Sequence, residues 1–177
     1  MTAAEKEYGG ALYSLAADEH IEDEVLNGLC LVKDTLRDYP DYAKLLANPA
    51  VKKEERLGLL DEALRDAVHP YVLNFCKILC EKYALGSLGG CEAEYRANLY
   101  AARGILPVTA KTAVAMTDAQ KQTLTQKLAA DTGKTILLEN VVDESVLGGV
   151  KLIYAGREMD GTTAGRLSAL KTVLLAN

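Results

Sequence analysis

The sequence predicts a mainly α-helical protein, in which an N-terminal six-helix bundle is followed by a small α+β domain of order β-α-β-β-α. Two observations support this prediction. In residues 1–105, apolar residues recur at the spacing of amphipathic helices. Val, Ile and Thr, which favour strands, number 10 in residues 1–105 but 19 in the shorter stretch 106–177. We therefore predict two domains, residues 1–105 and residues 106–177.

Each predicted helix of the first domain carries an apolar stripe. In the second helix, Val25, Leu29, Val32 and Leu36 follow one another at intervals of three or four residues. Pro and Gly residues separate the stripes and mark the turns between helices. Five helices are predicted over residues 3–18, 21–38, 52–65, 69–83 and 87–103, and a short helix containing Tyr42, Leu45 and Leu46 is predicted after Pro40.

The second domain alternates strands and helices. Thr117 and Gln120 have the spacing of a capping box that opens a helix, and Gly133 ends that helix. Strands are predicted over 105–116, 134–142 and 146–155, and a last helix carries Leu167, Leu170 and Leu174 on one stripe. A turn is predicted over 156–161. The residues expected to bend the backbone here are Gly148, Gly149, Gly156, Asp160 and Gly161.

Composition argues against several classes of protein. The chain has 177 residues and a net charge of −5, which disfavours a nucleic-acid-binding protein. No apolar stretch is long enough to predict a transmembrane helix, and no signal peptide is expected at the N-terminus. The four cysteines lie in apolar helical patterns and are expected to be reduced and buried. Cys76 and Cys80, four residues apart, could share a metal ion, but neighbouring positions supply no further ligand.

The sequence also lacks the patterns of common catalytic sites. It contains no phosphate-binding P-loop and no Gly-x-Ser-x-Gly nucleophile elbow. His20 and His69 have no Cys, Asp or Glu companion at a metal-ligand spacing. We therefore predict a non-enzymatic protein with no cofactor and no metal site.

Two helices have unusually large apolar surfaces. The helix over 69–83 is apolar on most sides, and the helix over 3–18 has two apolar faces. Either both helices are simply well buried, or they leave an apolar groove that binds a partner helix. From the residues alone, two functions remain open. One is an adaptor that binds partner helices, and the other is a small-molecule sensor.

Several segments, taken in order, resemble the delta subunit of F-type ATP synthases, which is called the oligomycin-sensitivity-conferring protein in mitochondria. The resemblance spans nearly the whole chain. It is strongest near the C-terminus, where an Asp, a Gly-Gly strand, a Gly turn, an Asp-Gly segment and a leucine helix follow one another. The matching segments are Tyr8-Gly9-Gly10-Ala11-Leu12-Tyr13, Leu45-Leu46-Ala47-Asn48-Pro49, Asn74-Phe75 through Lys82, Asp143, Val146-Leu147-Gly148-Gly149-Val150, Gly156, Asp160-Gly161-Thr162 and Arg166-Leu167-Ser168-Ala169-Leu170.

The resemblance implies a non-catalytic stator subunit that links the catalytic head to the peripheral stalk. In that family the helical domain binds N-terminal helices of the alpha subunits, and the C-terminal part contacts the b subunit. The complex would place the chain peripherally on the cytoplasmic face of the cell membrane. The residues that the resemblance assigns to alpha-subunit binding, on the first and fifth helices, are Tyr8, Ala11, Leu12, Leu15, Val72, Phe75 and Leu79.

Overall fold

The chain is mainly helical, with a small four-stranded mixed sheet. A computed structural model describes residues 2–146, 148–154 and 156–161. The chain divides into two compact units, Met1–Leu99 and Tyr100–Asn177. The predicted boundary after residue 105 lies a few residues later, at the point where the first strand begins.

The helix predictions for the first part of the chain are confirmed, with ends that shift by at most about two residues. Thr2 caps the first helix, and it forms a capping box with Glu5. Proline stands at the first turn of α3 and of α5, where its missing N–H leaves no hydrogen bond unmade. The helices are α1 (Ala3–Asp18), α2 (Glu22–Asp38), α3 (Pro40–Ala47), α4 (Lys53–Leu64), α5 (Pro70–Glu81) and α6 (Leu88–Ala102), with a 3₁₀ turn at Leu85–Ser87.

One hydrophobic core holds these six helices together, and α5 contributes more buried side chains to it than any other described helix. Tyr95 of α6 is fully buried, and its hydroxyl donates to the Glu22 carbonyl at 3.0 Å. Tyr13 meets the Tyr95 ring edge to face, with centroids 5.6 Å apart. The side chains on α5 that are less than a tenth exposed are Val72, Leu73, Phe75, Cys76, Leu79 and Cys80.

A buried arginine ties three helices of the first unit together. Arg56 on α4 is 2% exposed, and its Nη1 atom donates to the carbonyls of Leu46 and Cys80, each at 3.1 Å. Its guanidinium also lies 4.2 Å from the centre of the Tyr83 ring. Arg56 therefore satisfies carbonyls at the C-terminal ends of α3 and α5.

A buried carboxylate makes a second polar link. Glu92 on α6 is 4% exposed, and it pairs with Lys33 of α2 at 2.8 Å and with Arg96 on its own helix. A carboxylate can be buried here because both cations compensate its loss of hydration. The ion pair between Lys33 and Glu92 therefore links α2 to α6.

The second unit contains β1 (Ile105–Thr112), α7 (Asp118–Thr132), β2 (Thr135–Val142), β3 (Val150–Tyr154) and β4 (Arg157–Asp160). The strand order is β2-β1-β3-β4, with β1 and β2 parallel and the other two pairs antiparallel. The crossover from β1 to β2 runs through α7, as parallel neighbours require. One sheet face and α7 share a core that includes Val108, Ala110, Leu128, Ile136 and Leu152.

The first strand is shorter than the predicted 105–116. The Asn140 amide nitrogen donates to the Ala110 carbonyl at 2.9 Å and to the Thr112 hydroxyl at 2.8 Å. The amide oxygen accepts from the Met116 N–H at 2.8 Å. The Asn140 side chain thus forms hydrogen bonds both to the end of β1 and to the loop that follows it, and the chain leaves the sheet after Thr112.

The segment 156–161 was predicted as a turn, and that prediction is wrong for most of its length. Residues Arg157–Asp160 form β4, an edge strand paired with β3, in which Asp160 lies opposite Lys151. Only Gly156, with φ +72°, keeps the predicted turn, and it closes the tight β3–β4 connection. The Gly161 N–H donates to the Val150 carbonyl at 3.0 Å, so Gly161 continues the pairing beyond β4. The predicted last helix, with Leu167, Leu170 and Leu174, lies outside the described residues.

Strand β3 begins later than the predicted residue 146. Gly148 and Gly149 have φ angles of +142° and +86°, in the region that side chains rarely adopt. These two residues therefore form a bend before the strand, and pairing with β1 starts at Val150.

All four cysteines of the described structure are free thiols, and Cys76, Cys80 and Cys91 are buried. Burial raises the pKa of the Cys76 thiol to about 12, with a smaller contribution from Cys80. Burial also raises the pKa of Cys80 and of Cys91. The native state therefore retains the Cys76 proton at pH values where an exposed thiol has lost it.

This difference predicts a loss of stability in mild alkali. Between the ordinary thiol pKa of 9.0 and about 12, the unfolded chain releases the Cys76 proton and the folded chain keeps it. Each pH unit in that window should lower the free energy of unfolding by about 1.4 kcal/mol through Cys76. Chemical denaturation near pH 8 and pH 10 measures the change. Cys76→Ala should show a smaller fall than the wild type; an identical fall in both proteins would contradict the assignment.

Candidate functional site

The described part of the chain holds no group of three or more His, Cys, Asp or Glu side chains placed to bind a metal ion. Within the same residues, no helix is long and apolar enough to cross a membrane. The binding residues predicted from the sequence lie on α1 and α5.

Helices α1 and α5 meet through Tyr8. The Tyr8 ring packs edge to face on Phe75, with centroids 6.5 Å apart and planes at 74°. The Lys82 ammonium donates to the Tyr8 hydroxyl at 2.6 Å and lies 5.2 Å from the centre of the Tyr8 ring. The hydrogen bond to Tyr8 also raises the pKa of Lys82. Tyr8 of α1 therefore faces Phe75 of α5.

Most of the other predicted binding residues lie in the core. Val72 and Leu79 are fully buried, and Leu12 and Phe75 are each 6% exposed. A partner cannot contact these four side chains in this conformation, so their burial matches the simpler interpretation that α1 and α5 are packed helices. These four buried side chains hold α1 and α5 in place, below any surface that a partner could contact.

The remaining predicted residues are accessible. Leu15 is 44% exposed, Ala11 is exposed, and Tyr8 is half-buried. On α1 these three residues follow one another at intervals of three and four, so they share one helix face. Their role in binding a partner stays a prediction.

One exposed apolar residue of α5 was not predicted from the sequence. Ile78 on α5 is 45% exposed, although the apolar run around it is buried. It lies on the same face of α5 as Phe75 and Lys82, the two residues that contact Tyr8. Ile78 also follows the exposed Asn74 by four residues, and that spacing is the signal that could have placed it on the surface. We name the exposed or half-exposed set Tyr8, Ala11, Leu15 and Ile78 the α1/α5 surface.

A second exposed apolar set lies on the edge strand β2. Leu137 is 50% exposed, Val141 is 36% exposed and Val142 is 52% exposed. Leu137 and Val141 point to the sheet face opposite the buried Ile136, because side chains alternate along a strand. Unpaired edges with exposed apolar side chains are favourable places for another chain to bind.

The segment between β2 and β3 is held by Asp143. Its carboxylate accepts from the Ser145 hydroxyl at 2.5 Å, from the Ser145 N–H at 3.1 Å and from the Lys111 ammonium at 3.2 Å. The Ser145 bonds, followed by that of Lys111, lower the pKa of Asp143. Asp143 thus organises the loop that leads to Gly148 and Gly149, which is a structural role.

The chain is similar in sequence to known ATP synthase delta subunits, and similar in fold to a chain of a solved ATP synthase structure. The ATP synthase subunit delta of Synechococcus elongatus is 30% identical over 170 residues, which cover 96% of this chain and 94% of that protein. The ATP synthase subunit delta of Chlorobium limicola is 29% identical over 173 residues, covering 98% and 96%. A chain of the Toxoplasma gondii mitochondrial ATP synthase hexamer, seen by cryo-EM, shares the fold over the whole chain and 99% of its own length, with a TM-score of 0.77 at 21% identity.

The match to a protein family covers nearly the same length. Residues 4–174 match the family described as the ATP synthase delta (OSCP) subunit, which includes both units and the α1/α5 surface. The chain therefore belongs to the ATP synthase delta (OSCP) subunit family, whose members are non-catalytic stator subunits of the F-type ATP synthase.

Proposed function

We propose that the α1/α5 surface binds an N-terminal helix of the alpha subunit, and that residues 106–177 contact the b subunit of the peripheral stalk. In this arrangement the chain sits on the ATP synthase at the cytoplasmic face of the cell membrane. It ties the catalytic head to the stalk, so that the head does not turn with the rotor.

The exposure of Leu15 and Ile78 is the observation that carries the proposal. Both are large, exposed aliphatic side chains. Ile78 is three residues from Phe75 on α5, and Leu15 is two turns from Tyr8 on the same face of α1, while Tyr8 and Phe75 join the two helices. An amphipathic helix laid along this surface would remove their apolar area from water, at about 25 cal/mol per Å². The buried Leu12, Val72, Phe75 and Leu79 would support the surface from below.

The contact with the b subunit is supported by the sheet edge. Strand β2 stands at one end of the strand order and carries three exposed apolar residues. The opposite edge strand, β4, carries one, Met159, at 53% exposure. We therefore assign the stalk contact to the β2 edge, with Leu137 at its centre.

Membership in the delta family favours the stator role over the two functions that composition left open, an unrelated adaptor or a small-molecule sensor. An unrelated adaptor would also bind partner helices, so it differs from a stator subunit only in which protein it binds. A sensor would need convergent polar groups around an enclosed cavity, and the exposed sets described above are apolar surfaces instead.

Replacing Leu15 or Ile78 by Asp should weaken binding of an alpha-subunit N-terminal peptide by roughly 10-fold or more, equivalent to about 1.4 kcal/mol. The introduced carboxylate would have to lose its hydration against an apolar helix. The melting temperature should stay nearly unchanged, because both side chains are already partly exposed. Titration calorimetry with the full chain, beside a thermal melt of each variant, measures both quantities.

Leu45→Asp on α3 is the matched control, since Leu45 is 40% exposed and lies outside the α1/α5 surface. It should leave the peptide affinity unchanged. Tyr8→Asp is a less selective variant, because it also removes the packing on Phe75 and should lower the melting temperature as well as the affinity. Unchanged affinity in both Leu15→Asp and Ile78→Asp would overturn the assignment of this surface.

The stalk contact should respond to a different substitution. Leu137→Asp should reduce copurification of the full chain with the b subunit by roughly 10-fold, while alpha-peptide affinity stays the same. Met159→Asp, on the opposite edge strand and similarly exposed, is the control and should copurify with b like the wild type. If copurification with the b subunit fell equally in both variants, or fell only in Met159→Asp, the assignment of the stalk contact to the β2 edge would be wrong.

A further inference from the structure

The first helix contacts its two neighbours α5 and α6 in different ways. On the side of α5, the contacts are made by the ends of side chains: the Tyr8 ring packs on Phe75, and the Tyr8 hydroxyl accepts a hydrogen bond from Lys82. On the side of α6, the backbone itself takes part. A Cβ atom added to Gly9 of α1 would lie 2.5 Å from the Cys91 carbonyl oxygen of α6, closer than real Cβ contacts come. Gly9 therefore lies directly against the α6 backbone.

Packing, and not backbone conformation, is what requires glycine at position 9. Gly9 is buried inside α1 and has no positive φ, so the helix by itself would accept alanine there. Besides the Cys91 oxygen, the added Cβ atom would meet the Glu94 Cβ atom at 2.9 Å, and neither atom is the far end of a flexible side chain. Ordinary contact for a Cβ atom begins at 3.4 Å, so α1 would have to move away from α6 by about 0.9 Å at this point.

Two neighbouring glycines show how local this close approach is. A Cβ atom added to Gly10 of α1 would have the Asn98 side-chain nitrogen at 3.8 Å, which is ordinary contact. A Cβ atom added to Gly90 of α6 would collide with the Glu5 carboxylate, which is the flexible end of a side chain and can turn aside. Of these three glycines, Gly9 alone is opposed by a backbone atom at collision distance.

The contact with α6 continues one turn further along α1. Tyr13, four residues after Gly9, packs edge to face on the Tyr95 ring of α6, with centroids 5.6 Å apart. Tyr95 is itself fully buried, and its hydroxyl donates to the Glu22 carbonyl at 3.0 Å. Gly9 and Tyr13 thus place one side of α1 on α6. With about 3.6 residues per turn, the residues that α1 contributes to the α1/α5 surface lie on nearly the opposite side of the helix.

We infer that Gly9 is a positioning residue for the α1/α5 surface, because it sets how far Tyr8 and Leu15 of α1 lie from Ile78 of α5. This inference rests on the proposed function, in which one partner helix contacts both α1 and α5. Closely packed surfaces fit at one separation, so a shift of α1 would spoil the fit to that partner. The backbone contact with α6 cannot yield, whereas the side chains between α1 and α5 can turn and follow the position of α1.

Alanine substitutions of the three glycines test the inference with the full chain and an alpha-subunit N-terminal peptide. By titration calorimetry, Gly9→Ala should weaken peptide binding by about 5-fold, because it moves α1. Gly10→Ala is the matched control: it makes the same exchange at the next position of the same helix, meets only ordinary contact, and should bind like the wild type. Gly90→Ala displaces the Glu5 side chain and not the helix, so it should also bind like the wild type.

A destabilised control separates positioning from a general loss of stability. Val32 on α2 is 1% exposed, so Val32→Ala should lower the melting temperature by leaving a cavity in the core. Its peptide affinity, measured at a temperature where every variant is folded, should match the wild type. Wild-type affinity in Gly9→Ala would overturn the inference, and so would an equal loss of affinity in Gly9→Ala and in Gly10→Ala or Val32→Ala.

A measurement without peptide separates this inference from the proposed function. Nuclear Overhauser effects between the ring protons of Tyr8 and Phe75 depend steeply on distance, so they report the position of α1 relative to α5. Their intensities should change in Gly9→Ala and stay as in the wild type in Gly10→Ala. Unchanged intensities in Gly9→Ala would overturn the inference, whether or not the peptide binds. Changed intensities in Gly9→Ala, together with a wild type that does not bind the peptide, would support the placement of α1 by Gly9 and overturn the proposed alpha-subunit contact.

Discussion

The burial of α5 is the constraint on which the rest of the helical unit depends. Six of its twelve residues are less than a tenth exposed, so the helix needs neighbours on most of its circumference. Tyr8 of α1 packs on Phe75, Lys77 pairs with Asp61 of α4 at 2.6 Å, and the last turn accepts a hydrogen bond from Arg56. Because these neighbours use most of the surface of α5, only a narrow strip that includes Asn74 and Ile78 remains for another protein.

The sequence correctly predicted the features that depend on residues close together in the chain. Apolar spacing located the six helices before residue 103, and the capping box at Thr117 and Gln120 located the start of α7. It could not separate core from surface within α5, because Ile78 and Leu79 are adjacent, equally apolar and differently exposed. That difference depends on which neighbours α5 has, and long-range packing is not encoded in a single helix pattern. Four of the seven predicted binding residues are core residues for this reason.

Other features were missed because their partners are distant in the sequence. Arg56 and Glu92 look like ordinary charged residues of helix surfaces, yet both are buried by contacts with residues that lie 10 or more positions away. Strand β4 was missed because Gly156 and Gly161 bracket a short polar segment, which is typical of a turn. Its pairing with β3 supplies the hydrogen bonds that make it a strand. Residues 116 and 140 are likewise joined only in the folded chain, where Asn140 ends β1.

The two buried ionic residues connect this packing to the role of a stator subunit. A subunit that transmits force between the head and the stalk must resist sliding of its helices, and apolar contacts alone are weakly directional. Sliding α4 along α3 or α5 would take the Arg56 guanidinium from the Leu46 and Cys80 carbonyls and leave a buried charge without acceptors. Sliding α2 along α6 would separate Lys33 from Glu92 and leave that buried carboxylate with Arg96 of its own helix. A buried polar or charged group left without its partner costs roughly 1–3 kcal/mol or more, so these contacts help to fix the register of five helices while the apolar core supplies the stability.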